Sequence, residues 1–225
     1  MTSFKCPGFY SFLQPKPESI RCPFCGEEVE IWTDEIKTLC PKCKNVVTRD
    51  ILPQCIEWCS LAKECVGEKL YEKYIQNRKI TLKEKLLEKI EEFFGKDRKR
   101  IEHAKNVMRF AQKLLEKEKG DWHIVIPASI LHDVGIKVTE ERYHLQDAFY
   151  QEKEGPPIAR KILLELGFKK EDIEKICEII AFHHSPGKIN SQNFKIVYDA
   201  DMLENLQEKI RGKDKKEVEK IINQV

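Results

Sequence analysis

Cysteine and histidine are sorted along this chain into separate stretches, and that sorting limits how it can fold. Eight of the nine cysteines lie between Cys6 and Cys65, the ninth is Cys177, and all six histidines follow residue 100. A stretch of roughly 60 residues buries too little surface to hold itself together and needs a metal, cross-links or a partner. The residues after it are numerous enough to bury a core of their own. The chain therefore reads as a cysteine-rich metal-binding module over 1–66, connecting helices over 67–96 and a larger helical domain over 97–225.

Charged residues make up 35 % of the chain, with 40 Lys+Arg against 38 Asp+Glu. Mixed signs at that density describe a solvated surface and not a nucleic-acid footprint. No stretch approaches the roughly 18 apolar residues of a membrane span, and Lys5, Cys6 and Pro7 break any apolar run at the start. The expectation is a cytoplasmic protein, where paired CxxC motifs take metal and do not form disulfides. Much Lys, Glu and Ile with few Gln or Met fits a thermophile.

Cys22-Pro23-Phe24-Cys25-Gly26 is followed by Cys40-Pro41-Lys42-Cys43. Two residues between thiols form a tight knuckle whose backbone N–H groups can face both sulfurs, and two knuckles together make the tetrahedral S₄ site that structural zinc prefers. Glu28-Val29-Glu30-Ile31-Trp32 alternates polar and apolar residues, the pattern of a hairpin arm. The double knuckle resembles the zinc ribbon family. Cys6, Cys55, Cys59 and Cys65 remain; over Ile51–Gly67 the sequence predicts a helix that places Cys55 and Cys59 on one face. These four suggest a second Cys₄ site, for zinc or a [4Fe–4S] cluster, since both take four thiolates. Residues 1–66 carry eight Lys+Arg against nine Asp+Glu. Without surplus positive charge the module is a scaffold or a surface for a protein partner or a second copy, and nucleic acid is disfavoured.

Gln76-Asn77-Arg78 reads as a polar break, and Thr81-Leu82-Lys83-Glu84 as a capping box opening a new helix with Leu82, Leu86, Ile90 and Phe93 on its apolar face and Gly95 at its end. Asp97 is placed to cap the next helix, which carries His103. Further on, Val125–Leu131 is apolar, with Pro127 read as a helix opener, and leads directly into His132-Asp133. An imidazole and a carboxylate at the end of a buried helix are costly unless something pairs them, and a divalent ion does so.

His132-Asp133-Val134-Gly135-Ile136-Lys137 resembles the signature of the HD phosphohydrolase superfamily. The resemblance implies a mainly α fold, an HD-type helical bundle behind the small zinc-ribbon-like domain. It implies a divalent metal (Mn, Fe, Ni, Co, Mg or Zn) held by His103, His132, Asp133 and Asp201. Relatives with two metals add histidines, and His183 and His184 are the candidates here, together with Glu152, Glu154 and His144. Glutamine stands at 151, where a further histidine aligns. Lys137 is the best-placed cation for a substrate phosphate, with Arg109, Arg142 and Arg160 behind it, and Asp133, Lys137, His183 and His184 form the catalytic set. The expected activity is hydrolysis of a phosphate ester on a nucleotide or related small phosphorylated substrate. The alternative is a non-catalytic regulatory or structural protein that uses its cysteine module for protein contacts.

Overall fold

Alternating burial along Glu28–Trp32 turns Val29 and Ile31 inward and the glutamates outward, which is what a half-buried strand requires. The computed structural model describes residues 14–35, 37–48, 55–144 and 147–214, together with 217, 218 and 221. It divides into two units, 1–85 and 86–225. In the first, β1 (Pro17–Arg21) and β2 (Glu28–Trp32) pair antiparallel with Ser19 opposite Glu30, and β3 (Lys37–Leu39) pairs antiparallel with β4 (Val46–Thr48), Thr38 opposite Val47.

Each hairpin closes on a cysteine knuckle of the same design. Cys22 N–H donates to the Glu27 carbonyl at 2.8 Å and Gly26 N–H to Cys22 at 2.9 Å; Cys40 N–H donates to Asn45 at 2.9 Å and Lys44 N–H to Cys40 at 3.0 Å. Both turns need a left-handed residue, supplied by Gly26 at φ 73° and by Lys44 at φ 60°.

Beyond the hairpins the helix expected over Ile51–Gly67 is two short ones, α1 (Cys55–Trp58) and α2 (Ala62–Val66). Residues 51–54 lie outside the described residues. The chain turns at Cys59, whose carbonyl accepts from Ala62 N–H at 3.1 Å, and Ile56 and Ala62 then bury in one cluster with Tyr74. A long helix follows, α3 (Glu68–Phe94). The break expected at Gln76-Asn77-Arg78 is absent because Arg78 is itself buried, its Nε 3.3 Å from Glu57 Oε1. Thr81 is therefore a buried mid-helix residue and caps nothing. Phe94, not Phe93, continues the buried row of Leu82, Leu86 and Ile90, and Gly95 stops the helix at φ 60°.

The second unit is a helical bundle: α4 (Arg98–Leu115), α5 (Trp122–Leu131), α6 (Gly135–Tyr143), α7 (Ala148–Glu165), α8 (Lys170–Phe182) and α9 (Gln192–Ile210). Asp97 caps α4 as its sequence suggests, accepting from Arg100 N–H at 3.2 Å, and Ser191 caps α9 from Phe194 N–H at 3.2 Å. Helix α5 is buried from Ile124 to Leu131 and packs on α4, α8 and α9. It starts at Trp122, capped by Asp121, so Pro127 lies inside the helix and does not open it. Among the described residues, no helix is long and apolar enough to cross a membrane.

Helices α6 and α7 meet with almost no separation at Gly135. A Cβ there would lie 2.3 Å from the Gln151 carbonyl oxygen and 2.9 Å from Gly155 N. Gly135→Ala must push two backbones apart, and overpacking of this kind costs about 1–3 kcal/mol. Chemical denaturation of the full chain should show a loss in that range; an unchanged midpoint would mean that the two helices separate freely.

Candidate functional site

In the first unit the knuckles bring four sulfurs together. Cys22 Sγ lies 3.6 Å from Cys43 Sγ, and Cys25 Sγ 3.6 Å from Cys40 Sγ. Metal–sulfur bonds of about 2.3 Å put tetrahedral ligands roughly 3.8 Å apart, so the four are arranged to hold one metal. Charge is shared unequally among them. The Asn45 backbone N–H lowers the Cys43 thiol to about 6. The Glu27 backbone N–H also lowers Cys25, but burial and the neighbouring thiols push it up to about 12. A cation among the sulfurs relieves that competition. Of the other four cysteines, Cys59 and Cys65 are half-buried, while Cys6 and the side chain of Cys55 lie outside the described residues.

In the second unit, two histidines are set by one device. His132 follows the last residue of α5 and donates Nδ1–H to the Ser129 carbonyl at 2.8 Å; His183 follows the last residue of α8 and donates Nδ1–H to the Ile180 carbonyl at 2.7 Å. Each ring thus satisfies a carbonyl that its helix end leaves open. With the proton on Nδ1, each Nε2 presents a lone pair. Both Nε2 atoms are buried and make no hydrogen bond, and unpaired buried nitrogens call for a partner.

Asp133 is where they point. His132 Nε2 lies 3.3 Å from Asp133 Oδ2, and His183 Nε2 lies 3.5 Å from Asp133 Oδ1. From α4, His103 Nε2 reaches to 3.6 Å of Asp133 Oδ2; from α9, Asp201 Oδ1 lies 3.1 Å from His103 Nε2 and 3.6 Å from His132 Nε2. A lone pair facing a carboxylate is repulsive unless a cation stands between them. His103, His132 and Asp133 form one candidate metal set, and Asp133, His183 and His184 a second. The donor chemistry, imidazole and carboxylate, fits a divalent metal.

Without metal a proton does this work. Burial lowers the basicity of His132, but Asp133 and Asp201 override it and hold the ring well above the ordinary value of 6.5. Burial raises the Asp133 carboxyl, but His132 and His183 hold it well below its ordinary value. Burial raises the Asp201 carboxyl as well, but His103 and His132 together hold it below its ordinary value.

The cluster opens into a cavity of about 500 Å³ whose lining includes Lys99, Arg100, Ile136, Gln151, His184 and Glu208. Ile136, not Lys137, faces it. Consecutive helical residues diverge, and Lys137 turns away to donate to the Phe93 carbonyl at 2.7 Å. The other expected phosphate cations are also engaged: Arg109 with Asn106, Arg142 with Glu154 and Arg160 with Glu174. Lys99 and Arg100, one turn before His103, line the cavity together with Asp97 and Glu208, and Lys99 lies 4.0 Å from Glu208. Arg100 is held between Asp97 at 2.8 Å and Glu140 at 2.6 Å.

Of the further candidates, Glu154 accepts from Tyr143 and Arg142, and His144 is an exposed left-handed residue ending α6 at φ 54°. Neither joins the cluster. Glu152 clamps the corner after α8, accepting from His184 N–H and Ser185 Oγ, both at 3.0 Å. Gln151 Oε1 lies 3.0 Å from His184 Nε2. Asp199 is exposed while Asp201 is buried, as their spacing of two on a helix demands. Sequence reasoning passed over Lys99, Arg100, Glu204 and Asn205, the last donating to Asp201 Oδ1 at 3.0 Å. All four stand one helical turn from a ligand, and that spacing was the available signal.

Residues 100–206 match the family model described as HD domain. No curated protein and no solved structure matches the chain.

The protonated cluster has a pH signature. The raised His132 stabilises the metal-free fold below its unfolded value of 6.5 and loses that contribution as pH rises through its folded value. The lowered Asp133 and Asp201 act oppositely, losing theirs as pH falls below the ordinary 3.8. Under a chelator, the melting temperature should therefore decline on the alkaline side, and added divalent metal should flatten that decline. A metal-free profile that stays level above neutrality would contradict a proton shared within the cluster.

Proposed function

Because residues 100–206 belong to the HD domain family, we propose that this protein is a metal-dependent phosphohydrolase acting on a phosphate ester of a nucleotide or similar small substrate. One observation carries the reading: three histidines and two aspartates from α4, α9 and the turns after α5 and α8 converge to 3.1–3.6 Å, and His103, Asp133 and Asp201 among them line a cavity that Lys99 and Arg100 also line.

His103, His132, Asp133 and Asp201 would hold the first metal, and Asp133, His183 and His184 a second. When bound, such a metal lowers the pKa of a water and polarises the phosphoryl oxygen. Asp133, whose two oxygens face different histidines, orients the attacking water and accepts its proton. Lys99 and Arg100 attract and align the phosphate, where charge develops on the transferring oxygens. Arg100 is fixed for this by Asp97 and Glu140. His184, hydrogen-bonded to Gln151, stands at the cavity wall to steady the leaving oxygen. The volume of about 500 Å³ suits a small molecule.

For the first unit we read the metal at Cys22, Cys25, Cys40 and Cys43 as zinc with a structural role, because its four ligands are all protein thiolates. Cys6, Cys55, Cys59 and Cys65 are a second thiolate set for zinc or a [4Fe–4S] cluster. Broad absorption near about 400 nm in anaerobically purified protein would mark iron–sulfur; colourless protein with two zinc ions would mark zinc. Cys22→Ala in the full chain should lose one zinc and lower the melting temperature, since structural zinc contributes folding free energy directly.

The catalytic reading is tested by assaying metal-reconstituted protein against nucleoside monophosphates and dinucleotides. Asp133→Ala should remove cluster metal and slow hydrolysis about a thousandfold or more, several kcal/mol of transition-state stabilisation. Equal hydrolysis by both proteins would reject Asp133 as the organising carboxylate. No hydrolysis by either, with metal bound, would favour a regulatory role.

A further inference from the structure

His132 and His183 fix their rings on their own helices, but His103 does not. It lies within α4, its Nε2 committed to Asp201 at 3.1 Å and Asp133 at 3.6 Å. Among the described residues its Nδ1 has no hydrogen-bond partner. A metal-binding imidazole needs its second nitrogen anchored, usually to a carboxylate, a carbonyl or a water, or the ring turns and the ligand becomes a weaker base.

Near this ring lies Glu204, three residues after Asp201 on α9 and 3 % exposed. Its Oε1 accepts from Asn106 Nδ2 at 2.8 Å, while its Oε2 is buried without a partner. Leaving a buried carboxyl oxygen unpaired is costly. A ring nitrogen of His103 and one carboxylate oxygen each of Glu204 and Glu208 lie within 4.8 Å of one another. Two hydrogen bonds of about 2.8 Å meeting at one water span roughly 4.6 Å. Glu208 is exposed, with Lys99 at 4.0 Å, so solvent and lysine already serve it.

We propose that Glu204 is a positioning residue for the metal centre: through one water, its second carboxyl oxygen takes the Nδ1–H of His103 and keeps the Nε2 lone pair aimed at the metal position beside Asp133 and Asp201. Asn106 holds the other oxygen, and Arg109 Nη1 in turn donates to Asn106 Oδ1 at 2.5 Å. A side-chain relay thus runs from the protein surface to the first ligand of the site. The inference rests on the reading that His103 binds metal.

The test uses the full chain and Mn²⁺, a hard ion that prefers imidazole and carboxylate to thiolate. Binding is followed by the electron paramagnetic resonance of free and bound Mn²⁺, and metal-free stability by melting temperature. Glu204→Gln keeps shape and the Asn106 contact but removes the charge. It should weaken Mn²⁺ binding about 10- to 100-fold and alter the bound spectrum, without lowering the metal-free melting temperature. Glu204→Asp should retain more affinity than Glu204→Gln. Equal affinity in Glu204→Gln overturns the inference and leaves the metal centre standing. Loss of one whole Mn²⁺ equivalent, with the rest bound at full affinity, would make Glu204 a cation ligand and overturn it too. So would a loss of affinity that only tracks a lower melting temperature. Mn²⁺ binding that Asp133→Ala does not disturb overturns the metal-centre reading and this inference together.

Discussion

Two buried imidazole lone pairs face a single carboxylate, and the helical bundle is organised around that repulsion. Nothing in the apolar interior can neutralise it, so the arrangement exists only with a proton or a cation at its centre. The cost of burying polar groups without partners runs to several kcal/mol, a large part of a typical domain's whole stability. Helix α5 meets the cost by being apolar on every side from Ile124 to Leu131. Its burial against α4, α8 and α9 leaves His132 no freedom to withdraw. The supports of the site are buried because the bundle closes around them.

Close approach at Gly135 completes the geometry. Asp133 occupies the short turn between α5 and α6, and α6 can start there only because α7 comes within contact of a residue that lacks a side chain. One glycine therefore determines where a carboxylate two residues away can reach. In the first unit the same economy appears in another form, where two short hairpins that share Cys-Pro-x-Cys repeat one knuckle and converge their sulfurs.

The residues of the cluster were legible in the sequence by type and place: His132-Asp133 after an apolar run, and His103 and Asp201 through the family resemblance that this pair suggests. The double CxxC was legible for the same reason. What sequence reasoning got wrong depends on tertiary partners. Gln76-Asn77-Arg78 looks like a break only until Glu57 is seen beside Arg78. Thr81 looks like a cap only outside the continuous helix it belongs to. Lys137 looks well placed only if the rotation of α6 is unknown, and that rotation is set by packing. Glu204 gave only its spacing of one helical turn from Asp201, since a buried glutamate reads in a sequence like an exposed one.

Both histidines that end helices carry a further consequence. The C-termini of α5 and α8 aim at one point, and each helix end brings about half an elementary negative charge from its aligned peptide dipoles. Added to Asp133 and Asp201, these favour positive charge at the centre of the cluster, whether the proton on His132 or a bound cation. The helix ends that hold the two rings thereby also set the sign of what can sit between them.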